Sequence, residues 1–396
     1  QSTVADRVDV VGDHPERALA SFGLGALVEA RGVDLLQVLV ECECDSAGTL
    51  DVAWAERFLD DRPAVMLKGT TYADCVQAEA GRLQWEPLNF SSGRYLMIAL
   101  RGFQGSVRFT RLGMRASEPD LNWAGRFECS DPRLNEIWRM CERTVRVGTQ
   151  ECVMDCPTRE QAAYLGDGHP VARWIGLLTG DWTHWKYLLR EAFGRITTEG
   201  LIRTSVFTGM KRSLIDYVLL TIVGARDYFR HTGDLDTLRE ILPGCRRVFD
   251  WFDAARDDTG LMHIGLGEGL AHNAWERQYD PEGWDDVWDK LPFIDHPGLG
   301  WHGPGEPGID RRGINAAMNA LYVVARRALA EIEHALGADG AEASRREADR
   351  TAAAARETFW VDSEKAFADG LLDGRRLPQI SQQTNIWCLW AGLCEP

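Results

Sequence analysis

The chain has no excess of positive charge. Among its 396 residues, 44 lysines and arginines face 60 aspartates and glutamates, a formal net charge of −16. Nucleic acids and anionic membrane surfaces are gripped by basic patches, so this balance argues against both as partners. No apolar run is long enough to span a bilayer. No Gly-rich phosphate loop follows a strand pattern, and the histidines are not spaced as metal ligands. Cys42-x-Cys44 and Cys152-x-x-x-Cys156 lack the pairing of a zinc site. The sequence therefore implies no metal and no cofactor, and its 10 cysteines are read as reduced, buried small hydrophobes. Gln1 to Val4 show no basic-then-apolar leader, which gives a cytoplasmic location as the expectation. Residue 1 is not methionine, and Cys394-Glu395-Pro396 stops just after a helical pattern, so a chain cut at both ends is expected.

What is present is ordinary for a soluble globular protein: 45% hydrophobic and 26% charged residues, in a length that fits two or three domains. One stretch is not ordinary. Asp155-Cys156-Pro157-Thr158-Arg159-Glu160-Gln161-Ala162-Ala163-Tyr164-Leu165-Gly166-Asp167-Gly168 packs three carboxylates, an arginine and a tyrosine around turn-forming residues. Pro157 biases Cys156 away from helix, and Gly166 and Gly168 permit unusual backbone angles. The segment reads as a loop that aims Asp155, Glu160 and Asp167 at one point. Crowded carboxylates raise at least one pKa while a guanidinium lowers others, the split that glycoside hydrolysis needs. A solvated acidic loop with an internal Arg159 ion pair fits the composition equally well.

Residues 1–120 read as an antiparallel β-sandwich. Leu35–Val40, Gly48–Trp54, Tyr95–Leu100 and Val107–Leu112 are short strand patterns between Gly, Asp and Ser clusters. Trp54 and Trp85 are read most simply as core or interface packing, with sugar stacking by either as the alternative. A boundary falls near Pro119 to Trp123. Ser130 or Asp131 then caps a helix that opens at Pro132 and carries Leu134, Ile137, Trp138 and Cys141 on one face. After Gly168, helical patterns cover Val171–Leu178, Trp182–Phe193, Leu214–His231, Leu235–Phe252 with Pro243 as a kink or break, Ile314–Leu336, Ala341–Phe359 and Thr384–Leu393. Leu321, Val324 and Leu329 mark one side of the Ile314–Leu336 helix. Residues 121–396 are thus an α/α toroid or bundle. Residues 257–312 interrupt it with Trp275, Trp284, Trp288 and Trp301 among glycines and acids, a composition that suits sugar binding as well as loop packing.

Asp155-Cys156-Pro157-x-Arg159-Glu160-Gln161, followed by Tyr164 and Gly166-Asp167, resembles the active-site signature of bacterial α-L-rhamnosidases. These are six-hairpin glycosidases of glycoside hydrolase family 78. Tyr228-x-x-His231-Thr232-Gly233-Asp234, Phe293-Ile294-Asp295, Gly313-Ile314-Asn315-Ala316 and Ser381-Gln382-Gln383-Thr384-Asn385 follow in the family's order. The resemblance runs from about Phe127 to the C-terminus. It implies a β-sandwich before an (α/α)6 barrel whose C-terminal part is missing here. It implies cleavage of terminal α-L-rhamnose from glycosides or polysaccharides.

By the same resemblance Glu160 matches the general acid. Asp155 and Asp167 match acids that bind rhamnose hydroxyls, Arg159 the arginine beside the acid, and Tyr164 an aromatic against the sugar. Asp216-Tyr217 and Asp295-His296 stand where members often carry Asp-Trp, so the aspartates carry over while the stacking partner changes. Trp288 is the loop aromatic assigned to substrate. The family inverts configuration, which needs a second carboxylate about 6.5–9.5 Å from the acid. In the family that base follows the Ser381–Asn385 helix, beyond Pro396, so weak binding and poor hydrolysis are expected of these residues alone. A non-catalytic carbohydrate-binding protein and a six-hairpin hydrolase for another sugar stay open. Ca²⁺ on the carboxylate cluster is opposed by Arg159.

Overall fold

The computed structural model describes residues 2–4, 9–11, 25–59, 62–67, 70–206, 213–264, 293–294 and 309–394. The chain divides into two compact units, Gln1–Gln161 and Ala162–Pro396, and each is taken by itself.

The first unit is built on an antiparallel sheet. Its strands are β1 Ser2–Val4, β2 Asp9–Val11, β3 Gly25–Cys44 and β4 Gly48–Ala55. Two short hairpins follow, β5 Phe58–Leu59 with β6 Arg62–Pro63 and β7 Met66–Leu67 with β8 Thr70–Thr71. Then come β9 Ala73–Ala78, β10 Gly81–Trp85, β11 Ser91–Arg101 and β12 Val107–Ala116. The sheet runs β1-β12-β3-β11-β4-β9, with β2 and β10 also on β3. The period of two explains β3. Val38, Val40, Cys42 and Cys44 point into a core with Leu50, Val52, Leu96, Ile98 and Leu112. Each valine, leucine and isoleucine among them contributes roughly 1.5–3 kcal/mol on burial. Between them Glu41 faces Arg82 at 3.1 Å and Arg111 at 3.5 Å, and Glu43 faces Arg108 at 3.7 Å.

Helix α1, Pro132–Val147, starts as the sequence predicts. Asp131 caps it by accepting from Arg133 N at 2.9 Å, and Pro132 occupies the first turn. The apolar face read from the sequence stays largely at the surface of the helix. Leu134, Ile137 and Cys141 are exposed, Trp138 stacks on Phe127 at 5.3 Å, and only Val145 and Val147 are buried.

The second unit is mainly helical: α2 Leu165–Thr179, α3 Thr183–Gly194, α4 Ile215–Thr232, α5 Leu235–Ala254, α6 Ala316–Ala335, α7 Ala341–Phe359 and α8 Gln382–Trp390. Helices α2 and α4 end on Gly180 and Gly233, both in the left-handed conformation. Short antiparallel ladders join the helices. β13 Ala163–Tyr164 pairs β14 Ser205–Val206, and β16 Trp360–Val361 pairs β17 Ala366–Phe367. β15 Ile314–Asn315, β18 Gly370–Leu372 and β19 Arg375–Arg376 form a third ladder.

Three expectations change here. Helix α6 is not one-sided: nearly every residue from Ala316 to Ala325 is buried, because α4, α5, α7 and α8 all pack on it. Of the kink or break expected at Pro243, the break is absent: helix α5 is continuous there. Proline costs a helix interior about 3 kcal/mol, and burial of Leu238, Ile241, Leu242, Val248, Phe249 and Phe252 outweighs that. Nor are all cysteines buried: the ten are free thiols, and Cys75 and Cys141 are exposed. Among the described residues no helix is long and apolar enough to cross a membrane.

One ion pair in this unit sets an acid limit. Burial alone would raise the Asp227 carboxyl, but hydrogen bonds and charge from His169 and Arg226 bring it down to about 2. Its unfolded value is 3.8, so its contribution is full above that pH and is lost as pH falls toward 2. Asp227→Asn is expected to cost about 2 kcal/mol at pH 7. Urea midpoints of the two proteins should converge below pH 3.

Candidate active site

The signature stretch is positioned by a reversal after α1. Met154 N donates to Gly148 O at 2.8 Å, Thr149 bridges Val153, and Val147 and Met154 pack with Phe90 and Cys152. Asp155 therefore leaves an anchored turn. Pro157 to Glu160 then form a turn of their own. It is closed by Gln161, whose side-chain amide donates to Pro157 O at 2.7 Å and whose backbone sits at φ 50°. The Thr158 hydroxyl donates to Glu56, fastening the loop beside the end of β4.

Inside that turn the chemistry concentrates. Cys156 Sγ lies 3.1 Å from Glu160 Oε2 and accepts from Glu160 N at 3.4 Å. Burial raises the Cys156 thiol, so it holds its proton and acts as donor to the carboxylate. Arg159 Nη2 pairs with Glu160 Oε1. Oxygen and sulfur atoms of Asp155, Cys156 and Glu160 all lie within 4.8 Å of one another. That spacing would admit an ion, but the guanidinium on the same carboxylate opposes one. Against the loop lies a cavity of about 520 Å³, lined by Trp54, Tyr72, Asp74 and Trp85 with Thr158, Arg159 and Gln161. Trp54 and Trp85 are read from the sequence as packing residues first and sugar-stacking rings second. Both line this cavity, and Trp85 also packs on the sheet core.

The remaining candidates belong to the second unit. Tyr164 sits on β13, opposite Ser205, as the residue before α2. Asp167 lies in the first turn of α2, where the helix N-terminus favours a carboxylate. The stretch is therefore not one loop. It divides into a turn, a strand and a helix start, because Gly166 and Gly168 serve packing. A Cβ at Gly166 would meet the Tyr217 ring at 2.4 Å, and one at Gly168 would meet Leu188 at 2.8 Å.

Asp216 opens α4 and is 1% exposed. Its Oδ1 accepts from Phe293 N at 3.2 Å and its Oδ2 from Ile294 N at 2.9 Å. Burial raises its carboxyl to about 6, with those bonds and the Arg311 charge pulling the other way. Arg311 donates to the carbonyls of the same two residues, both at 2.8 Å. Tyr217 is buried and meets Phe293 edge-on at 6.0 Å. Trp288, Asp295 and His296 lie outside the described residues, as do Trp275, Trp284 and Trp301.

Asp155, Arg159 and Glu160 are thus brought together, and Asp216 and Tyr217 hold the 293–294 segment. Cys156, Tyr72 and Arg311 were not singled out from sequence. Cys156 alone gave a signal, its place inside the signature.

Residues 122–396 match the family described as bacterial alpha-L-rhamnosidase six-hairpin glycosidase domain. An alpha-L-rhamnosidase of Formosa agariphila is 23% identical over 215 residues, 51% of this chain and 22% of that protein. In structure, the chain is similar to a GH78 family rhamnosidase of Bacillus sp. GL1, with a TM-score of 0.79 and 21% identity over 98% of this chain and 37% of the other. It is also similar to a Klebsiella oxytoca rhamnosidase with rhamnose bound, at 0.75 and 18%, over 99% of this chain and 70% of the other. The chain spans about a fifth of the curated relative's length and about a third of the Bacillus protein's.

Proposed function

Because the chain belongs to the bacterial alpha-L-rhamnosidase six-hairpin glycosidase family, we propose that it serves a glycoside hydrolase that removes terminal α-L-rhamnose. The substrates are rhamnose-bearing glycosides or polysaccharides. The observation that carries this reading is the turn that gathers Asp155 and Glu160 with the Arg159 guanidinium. Glu160 donates a proton to the glycosidic oxygen as the bond breaks. Asp155 and Asp167 accept hydrogen bonds from rhamnose hydroxyls, and Tyr164 offers a ring face. Arg159 sets the charge state around the acid. Asp216 and Tyr217 act by holding residues 293–294, next in sequence to Asp295 and His296. Trp288 stacks on the sugar.

In this reading the mechanism inverts. Water attacks opposite the leaving group, activated by a second carboxylate about 6.5–9.5 Å from Glu160. That base follows the Ser381–Asn385 helix in sequence. The helical hairpins are part of an (α/α)6 barrel that begins near residue 121, and the sheet of the first unit folds as a sandwich. The family match from residue 122 supports that boundary, although contact places α1 and the signature turn with the sheet.

The test is direct. The intact protein, given an aryl α-L-rhamnoside, should release rhamnose, and proton NMR of the first turnovers should show the β anomer. Absence of rhamnose release overturns the function. The α anomer appearing first overturns the inverting step.

A further inference from the structure

The half-buried sulfur of Cys156 does two things in the signature turn that packing does not explain. It accepts the Glu160 N–H at 3.4 Å, which holds the backbone of the turn. It donates its own proton to Glu160 Oε2 at 3.1 Å, which holds the side chain that this backbone carries. Burial raises the thiol most. The backbone amides of Gln161 and Arg159 pull it down, and the Asp155 carboxylate adds to the rise, so the sulfur keeps its proton and stays a donor.

The two donors on Glu160 differ in kind. Arg159 reaches Oε1 from a long side chain that is 42% exposed, where water competes and many rotamers are open. Cys156 reaches Oε2 from a short side chain with one heavy-atom torsion, and its sulfur is already tied to the backbone. Control of where the carboxyl points therefore belongs to the thiol. We infer that Cys156 is a positioning residue for Glu160: it aims the carboxyl from within the turn and steadies the anion left when the proton departs. In the proposed reaction the glycosidic C–O bond breaks and the Glu160 proton goes to the departing oxygen. Water adds to the rhamnosyl carbon as its own proton passes to the second carboxylate. The S–H bond stays intact throughout. As negative charge gathers on Glu160, the hydrogen bond from the thiol strengthens, so the contact is worth more in the transition state than before it.

This inference rests on the proposed rhamnoside cleavage, and its test separates the two. The intact protein and its Cys156→Ala and Cys156→Ser variants, each with melting temperature checked, are assayed on methyl and on dinitrophenyl α-L-rhamnoside. Cys156→Ala should lower kcat on the methyl compound about 3–10-fold, the worth of one hydrogen bond, with KM within about twofold. The dinitrophenyl compound leaves with little protonation and should lose less than about twofold. Serine restores a donor and should recover most of the loss on the methyl compound. The alkaline limb of kcat/KM should move to higher pH in Cys156→Ala, where the carboxylate has lost a donor, and should return in Cys156→Ser. Asp155, Arg159, Glu56 and Tyr72, the other titratable groups around the thiol among the described residues, are the same in every variant. Equal losses on both compounds, no loss on either, or a serine variant no better than alanine overturns the positioning role while cleavage stands. If the wild-type protein releases rhamnose from neither compound, the proposed function falls and this role with it.

Discussion

Under the proposed acid role, Glu160→Gln is expected to lower kcat on rhamnosides with alkyl aglycones by about 10²–10⁴-fold, the usual worth of a general acid. Glutamine keeps the length and shape of the side chain and can still sit beside Arg159 and Cys156, so KM should stay within about threefold. What it loses is the transferable proton. The defect should therefore shrink as the leaving group improves: a dinitrophenyl rhamnoside departs with little protonation and should lose far less than methyl rhamnoside. The alkaline limb of the kcat/KM profile, which reports the acid in the free protein, should vanish in the variant. Wild-type rates on methyl rhamnoside in Glu160→Gln would remove this residue from the mechanism.

Asp216→Ala is expected to cost about 3–5 kcal/mol of stability, because it strips one partner from a buried charged contact. The Phe293 and Ile294 amides lose their acceptor, and Arg311, 4% exposed, loses an opposing charge. Asp216→Asn keeps one acceptor and should cost less. The pH dependence has a definite sign. The folded carboxyl is raised to about 6 from 3.8, so between those values the folded protein holds a proton that the unfolded chain has released. Stability from this residue therefore grows as pH falls through that window and declines as it rises. Urea titrations at pH 4 and pH 7 should show that trend in the wild type and its loss in Asp216→Ala. A cost under about 1 kcal/mol would mean the 293–294 segment is held by other contacts.

Period-based reading served where one face is buried. Ala341–Phe359 and the start of α1 match their sequence limits, and the alternation at Gly48–Trp54 became β4. It found α6 and α1 as well but did not report how deeply they are buried: α6 is covered on nearly all sides, and apolar residues of α1 stay exposed. The motifs of the resemblance were legible partly because they cap helices. Asn315 accepts from Met318 N at 2.9 Å, Asp234 from Thr237 N at 3.0 Å, and Ser381 from Thr384 N at 3.2 Å. The glycines of the signature misled: their small size admits Tyr217 and Leu188, which no local pattern reveals. Tyr72 and Arg311 were invisible for the same reason, since their roles arise from segments far apart in the chain.

One feature of the turn bears on how a catalytic cycle would begin. Both Glu160 oxygens are spoken for, one by the Arg159 guanidinium and one by the Cys156 thiol. A carboxylate offers about four acceptor positions, so one donor on each oxygen leaves room on both. In the proposed role, a ligand oxygen can therefore reach the Glu160 carboxyl with the Arg159 guanidinium and the Cys156 thiol both in place.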